Sequence, residues 1–244
     1  MLTIVVPCFN EAARLGPGVE EFLRYASAGT RFVFVDDGST DATAAVLASI
    51  VARSEHCEVV NIVPNGGKAE AVRRGLLRAL AMDAAIIGYF DADLATPLDE
   101  IARMAAHFNE PAVVAVTGAR VQLAGADIER RSFRHYTGRV FATAAALTLG
   151  TAFYDTQCGA KLFRAVPAVA EALAEPFHSA WFFDVELLGR ILGAGVIREH
   201  PLRRWRDVGG SKVQPGTFVR APFELLRLSI ELRRWRASRV SRGG

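Results

Sequence analysis

The sequence predicts an α/β protein in which one doubly wound, mainly parallel sheet carries helices on both faces. Three observations lead there. Short runs rich in β-branched and aromatic residues alternate with segments of helical character. Each run ends in polar or glycine-containing punctuation (Asn10-Glu11, Asp36-Asp37, Gly67-Lys68, Asp91 and Asp93), so these residues converge on the carboxyl-terminal rim, where open α/β sheets hold ligands. The 244 residues are 51% hydrophobic and 23% charged, enough apolar material for one large core.

Taken in order, residues 2–7 (LTIVVP) and 31–36 (RFVFVD) read as strands around a helical segment at 11–25. The second strand runs into DDGSTD, where Gly38 permits the turn and Ser39, Thr40 or Asp41 can cap a helix over 42–53. A third strand at 58–63 leads through NGGK to a helix over 69–81. The fourth strand opens IIGYFDADLATP at 86–97. Ile86, Ile87, Tyr89 and Phe90 make it apolar on both faces, as in a sheet covered on both sides, and it stops at two carboxylates one residue apart. Side chains two apart on extended backbone point the same way, so Asp91 and Asp93 can face one hard divalent cation that carries phosphate oxygens on its far side. The plainer reading is that Asp93 caps a helix beginning near Pro97. A fifth strand, 112–119, ends at Arg120, and an apolar segment follows at 140–149.

Other features exclude whole classes. No GxGxxG follows the first strand and no GxxxxGK[ST] occurs, which argues against a dinucleotide fold and a P-loop. Cys8, Cys57 and Cys158 form no close pair, which indicates a reducing compartment rather than a disulfide framework or zinc site. The first residues lack a basic region followed by an apolar one, so they read as a strand and not a signal peptide. The longest uncharged run, 140–154, is shorter than the roughly 20 residues that span a bilayer.

The net charge of +3 hides an asymmetry. Residues 198–244 hold 12 Lys/Arg against 4 Asp/Glu, while residues 1–197 hold 17 against 22. The chain therefore divides into a main domain, 1–217, and a basic amphipathic helix and tail, 218–244. In the tail Phe223, Leu225, Leu226, Leu228, Ile230 and Leu232 are set among Arg220, Arg227, Arg233, Arg234 and Arg236. Such a helix either docks on the domain or lies on a membrane surface.

VVPCFNE, VDDGSTD, NGGKAEAVRRG and FDADLATP together resemble the inverting family 2 glycosyltransferases with a GT-A fold. Further on, TGAR (117–120), RSFRHYTGRVF (131–141), YDTQCGAKLF (154–163), WFFDVELL (181–188) and GGSK (209–212) resemble the polyprenyl (dolichyl) phosphate sugar transferases, the dolichyl-phosphate β-glucosyltransferase branch in particular.

The resemblance implies a nucleotide site made of Pro7, Asn10, Glu11, Asp36 and Asp37, with Asp37 on the base. A carboxylate accepts equally from uracil or guanine, so UDP and GDP both remain open. Lys68 beside Gly67 would meet the diphosphate, although a lysine beginning a helix is also ordinarily solvated. Asp91 and Asp93 would hold Mg2+ or Mn2+, with Asp93 the direct ligand. Ala95 stands where some mannosyl relatives carry glutamine, which counts against the mannosyl branch. Arg120 and Arg134 resemble a clamp for an acceptor phosphate, with Arg130, Arg131 and Arg139 as neighbours that could share the role. Asp155 and Gln157 read as site residues. A phosphate acceptor needs no general base, whereas a hydroxyl acceptor would need Asp155 or Asp184. Ser211 and Lys212 would close over the donor phosphates.

The expected activity is metal-dependent transfer of a hexose, glucose from UDP-glucose, to a polyprenyl or dolichyl phosphate. The enzyme would be cytoplasmic and peripheral on the cytoplasmic membrane face, with no nucleic-acid partner and its oligomeric state left open. Use of GDP-mannose, or a soluble transferase with a hydroxyl acceptor, are the competing readings.

Overall fold

The first strand, β1 (Leu2–Cys8), lies between β2 (Thr30–Asp36) and β4 (Ile86–Phe90) and is the point at which the winding of the sheet reverses. The computed structural model describes residues 1–27, 29–129, 143–208 and 215–242. After β1 come α1 (Ala12–Tyr25), β2, α2 (Thr43–Val51), β3 (Cys57–Asn61), α3 (Lys68–Leu80), β4 and α4 (Asp99–Ala105). A 3-10 turn (Ala106–Asn109), β5 (Val113–Ala119), β6 (Asp127–Glu129) and helical residues 143–149 (α5) follow. The remainder is β7 (Ala160–Arg164), α6 (Pro167–Ala174), α7 (Phe183–Ile191), β8 (Val196–Pro201), β9 (Arg204–Arg206) and α8 (Pro215–Arg242).

The seven-stranded sheet has the order β3-β2-β1-β4-β7-β5-β8. Its strands are parallel except β7, which runs antiparallel to both β4 and β5. The mainly parallel sheet expected from the sequence is therefore present. The reversed β7 brings its amino-terminal end to the rim where β4 and β5 finish. β6 and β9 form a separate two-stranded ribbon, tied to the loop after β4 by the Arg206 amide donating to the Ala95 carbonyl.

Strand alternation is read out on two buried faces. Ile4 and Val6 of β1 and Phe32 and Phe34 of β2 pack toward α1, where Phe22 meets both rings edge-on with centroids 5.4 and 5.2 Å apart. Val5, Val33, Val35, Ile87 and Tyr89 face α3, α6 and α7. Helix α3 lies so close that a Cβ on Gly75 would sit 2.2 Å from Val5 Cγ1. A third apolar cluster joins α5, α7 and α8 through Ala145, Leu149, Val185, Leu225, Leu228 and Leu232. Helix α8 thus docks on the domain through one stripe, while Phe223, Leu226 and Ile230 stay 76, 65 and 47% exposed.

Two local expectations change. Asp93 does not cap the helix after β4, because α4 starts only at Asp99 and the Asp93 carboxylate accepts the Ala95 amide instead. Helix α8 starts at Pro215, three residues before the expected boundary at 218, and runs to Arg242, so most of the expected basic tail is itself helical.

Candidate active site

Parallel strands place their carboxyl ends together, and β1, β2 and β4 open there onto a cleft of about 370 Å³. It is lined by Pro7 and Cys8 at the end of β1, Phe9 after it, Glu11 at the cap of α1, Arg14 of α1, and Asp37 after β2. Asn65 and Gly67 before α3, Lys68 at its first position and Asp91 and Asp93 after β4 complete one wall, facing Trp205, Asp207 and Val208 from beyond β8.

Asp37 is buried, and its two oxygens accept the Gly66 and Gly67 amides at 2.7 and 2.8 Å. The carboxylate so shapes the glycine turn, in which Gly67 adopts φ +84°. Having about four acceptor sites, it can still receive a donor from the cleft. Asp36 and Asn10 stand behind the lining. Asp36 accepts the Ser39 amide, and Asn10, at φ +53°, accepts the Thr40 and Asp41 amides. These two residues fold the loops. Glu11 and Arg14 pair with each other at 2.9 Å.

The first residue of α3, Lys68, puts Nζ 2.6 Å from Asp91 Oδ1 while its side chain stays 47% exposed. Loss of water works against its ammonium, but the charges of Asp91, Asp184 and Asp93 outweigh that and raise its pKa. For Asp93 burial, and after it the negative charge of Asp91, push the carboxyl pKa up. Asp91 is thus matched by Lys68, whereas Asp93 has no cation in contact among the described residues. The hard oxygens of both carboxylates suit Mg2+ or Mn2+. Among the described residues no group of three or more His, Cys, Asp or Glu side chains gathers to hold a metal, so a cation here would draw further oxygens from a phosphate or water.

The turn before β7 forms the floor. Gly159 accepts the Asp91 amide at 2.9 Å, and a Cβ at Gly159 would fall 2.0 Å from Asp91 Oδ2. Only glycine leaves that carboxylate its place. Beside it, Arg120 at the end of β5 holds Asp155 through Nε and Nη2 at 2.6 and 2.8 Å, and its guanidinium lies 5.2 Å from the Trp205 ring centroid. Asp155 is oriented in turn by Glu199, whose carboxylate accepts the Tyr154 and Asp155 amides. The nearby Cys158 thiol is pushed up to about 11, chiefly by burial, so it offers no nucleophile at neutral pH.

Of the residues expected at the site, the structure lines one cleft with Pro7, Glu11, Asp37, Gly67, Lys68, Asp91 and Asp93. The Arg120–Asp155 pair stands at the same rim, beside Trp205. Arg134, Ser211 and Lys212 lie outside the described residues, as do Arg130, Arg131 and Arg139. Sequence reasoning missed Arg14, Trp205, Asp207 and Val208, which have no motif spacing and reach the cleft only through the fold. It passed over Lys161, although a lysine inside the apolar strand AKLF was a visible signal.

The profile described as Glycosyl transferase family 2 matches residues 3–168. The chain belongs to glycosyl transferase family 2. This family 2 glycosyltransferase is 32% identical to a dolichyl-phosphate beta-glucosyltransferase of Drosophila melanogaster, over 88% of this chain and 69% of that protein. A dolichyl-phosphate beta-glucosyltransferase of Trichomonas vaginalis is 30% identical over 95% of this chain and 71% of its own length. The Homo sapiens protein of the same description is 30% identical, over 88 and 70%. Among solved structures, glucosyl-3-phosphoglycerate synthase from Mycobacterium tuberculosis, in complex with Mn2+, uridine diphosphate and glucosyl-3-phosphoglycerate, superposes with a TM-score of 0.68. That match covers 94% of this chain and 79% of the other at 18% identity, and it identifies the fold of this glycosyltransferase as GT-A.

Proposed function

We propose that the enzyme transfers glucose from UDP-glucose, with inversion, to a polyprenyl or dolichyl phosphate at the cytoplasmic membrane face. The observation that carries the acceptor class is that both carboxylates able to serve as a general base are already engaged by cations, Asp155 by Arg120 and Asp184 by Lys161. A phosphate monoester is ionised near neutral pH and attacks without a base, so a site whose carboxylates are committed suits it. The glucosyl donor and the lipid acceptor follow the names of the relatives.

In this reading Asp37, Pro7 and Glu11 hold the nucleoside, with Asn10 and Asp36 shaping the loops behind them. The Gly67 turn and Lys68 receive the diphosphate, Lys68 exchanging its contact with Asp91 for phosphate oxygens. Asp91 and Asp93 would hold Mg2+ or Mn2+, which when bound neutralises the departing diphosphate. Arg120 has donors beyond the two spent on Asp155 and, with Arg134, orients the acceptor phosphate, while Ser211 and Lys212 close over the donor. A phosphate oxygen bonds to the anomeric carbon as the bond from that carbon to the diphosphate breaks on the opposite face. An α-linked donor thereby becomes a β-linked lipid product.

The membrane part of the reading rests on α8. Among the described residues no helix is long and apolar enough to cross a membrane. The outer stripe of α8 instead combines exposed Phe223, Leu226 and Ile230 with exposed Arg227, Arg233 and Arg234, a composition suited to an anionic lipid surface. Three free cysteines accord with the reducing side of the membrane.

The test incubates the protein and Mn2+ with UDP-glucose, GDP-mannose or other nucleotide sugars, with polyprenyl phosphate, a small hydroxyl acceptor, or neither. UDP release that requires both UDP-glucose and polyprenyl phosphate is the expected result. GDP release from GDP-mannose, or turnover on the hydroxyl acceptor alone, would replace this reading.

A further inference from the structure

The proposed transfer uses Asp184 only as a group out of play and gives Lys161 no work, yet the fold buries both. Lys161 has no exposed surface, and an ammonium is tolerated there only when its charge is matched. Its Nζ lies 2.8 Å from Asp184 Oδ1 at the start of α7 and donates to the Cys158 carbonyl at 2.7 Å. The Tyr89 hydroxyl donates to the same Asp184 oxygen. One charge pair therefore ties together β4, β7 and α7.

That junction lies under Asp91. Tyr89 and Asp91 are two residues apart where β4 ends. The carbonyl that Lys161 grips belongs to the peptide joining Cys158 to Gly159. Gly159 in turn accepts the Asp91 amide and leaves the gap in which the Asp91 carboxylate sits. Turning that peptide would move both the hydrogen bond and the gap.

We propose that the Lys161–Asp184 pair is a positioning device for Asp91, fixing where its carboxylate stands and hence how well the donor end of the cleft takes a divalent cation together with a diphosphate. The role rests on Asp91 being a cation ligand, as in the proposed function. A buried pair that merely supports the fold is the rival account. Arg190 and Glu186 of α7, 2.6 Å apart and outside the cleft lining, provide a control of that kind.

The test is Lys161→Met/Asp184→Asn, which removes both charges so that neither is left buried alone. UDP is titrated calorimetrically into this variant, wild type and the control Arg190→Met/Glu186→Gln, over a series of Mn2+ concentrations, with thermal midpoints recorded alongside. Groups that orient metal ligands change metal affinity about tenfold or more, so the Mn2+ needed for half-maximal UDP binding should rise about tenfold in the first variant and stay unchanged in the control. A folded variant with wild-type Mn2+ dependence overturns the positioning role. Should that variant fail to fold, Tyr89→Phe, which loses only the hydroxyl on Asp184, is titrated in its place. A rise in the Mn2+ needed for half-maximal UDP binding supports the role there, and none overturns it. Wild-type protein that binds UDP equally well in EDTA would instead overturn the cation reading of Asp91, and this role with it.

Discussion

Asp93 carries its charge at a cost, because burial and the neighbouring Asp91 both favour its protonated form. A carboxyl whose folded pKa is raised contributes stability that is full below its unfolded pKa, near 3.9, and lost as the pH rises through the folded value. Asp93→Asn should therefore raise the thermal midpoint at pH 7 in EDTA, and the gain should shrink as the pH is lowered toward about 4. The same variant should lose about a hundredfold in turnover, the scale typical of removing one electrostatic partner from a transition state. A variant less stable than wild type at pH 7 would contradict the charge argument, and full turnover would contradict the metal one. Gly159 makes a complementary case without touching a charge. In Gly159→Ala the new methyl must displace the Asp91 carboxylate, costing about 1–3 kcal/mol by denaturant unfolding and about tenfold or more in turnover. Unchanged kinetics would show that Asp91 need not stand where it does.

Helix α8 works with two stripes that can be separated by mutation. Its inner leucines belong to the cluster with α5 and α7, so Leu228→Ala should destabilise by about 2–5 kcal/mol as a buried leucine does. The outer residues Phe223, Leu226 and Ile230 are exposed, and changing all three to Asp should leave the thermal midpoint within a few degrees of wild type. That triple variant should no longer sediment with anionic vesicles at low salt, and wild type should release them as salt screens the arginines. If the triple variant still pellets with vesicles, the outer stripe is not the anchor, and α5, whose Leu147 is also exposed, becomes the candidate.

Across the whole molecule, stability and chemistry draw on different groups. Two apolar clusters on opposite faces of the sheet and a third under α8 hold the fold, and none of them includes Asp91 or Asp93. Excess EDTA should therefore abolish turnover while moving the thermal midpoint by no more than a few degrees, and added Mn2+ should restore activity without refolding. A large fall in the midpoint on chelation would mean that a metal supports the fold as well as the reaction.

The sequence by itself determined the sheet class, the family and the rim, because each rests on local order. Alternation of apolar strands with helical segments is a property of neighbouring residues, and parallel strands then bring Pro7, Asp37, Lys68 and Asp91 to one edge without further information. Only the tertiary structure decided how those groups are paired. β7 runs backwards between β4 and β5, and a short run such as AKLF carries no mark of direction, since direction depends on how the preceding chain returns. That reversal seats Gly159 beneath Asp91 and buries Lys161 against Asp184 from α7. The locking of Arg120 to Asp155, the arrival of Trp205 beside it and the division of α8 into a docked and an exposed stripe likewise join residues far apart in the chain. Charge pairing and side-chain burial depend on which neighbours the fold supplies, and the order of residues along the chain does not name them.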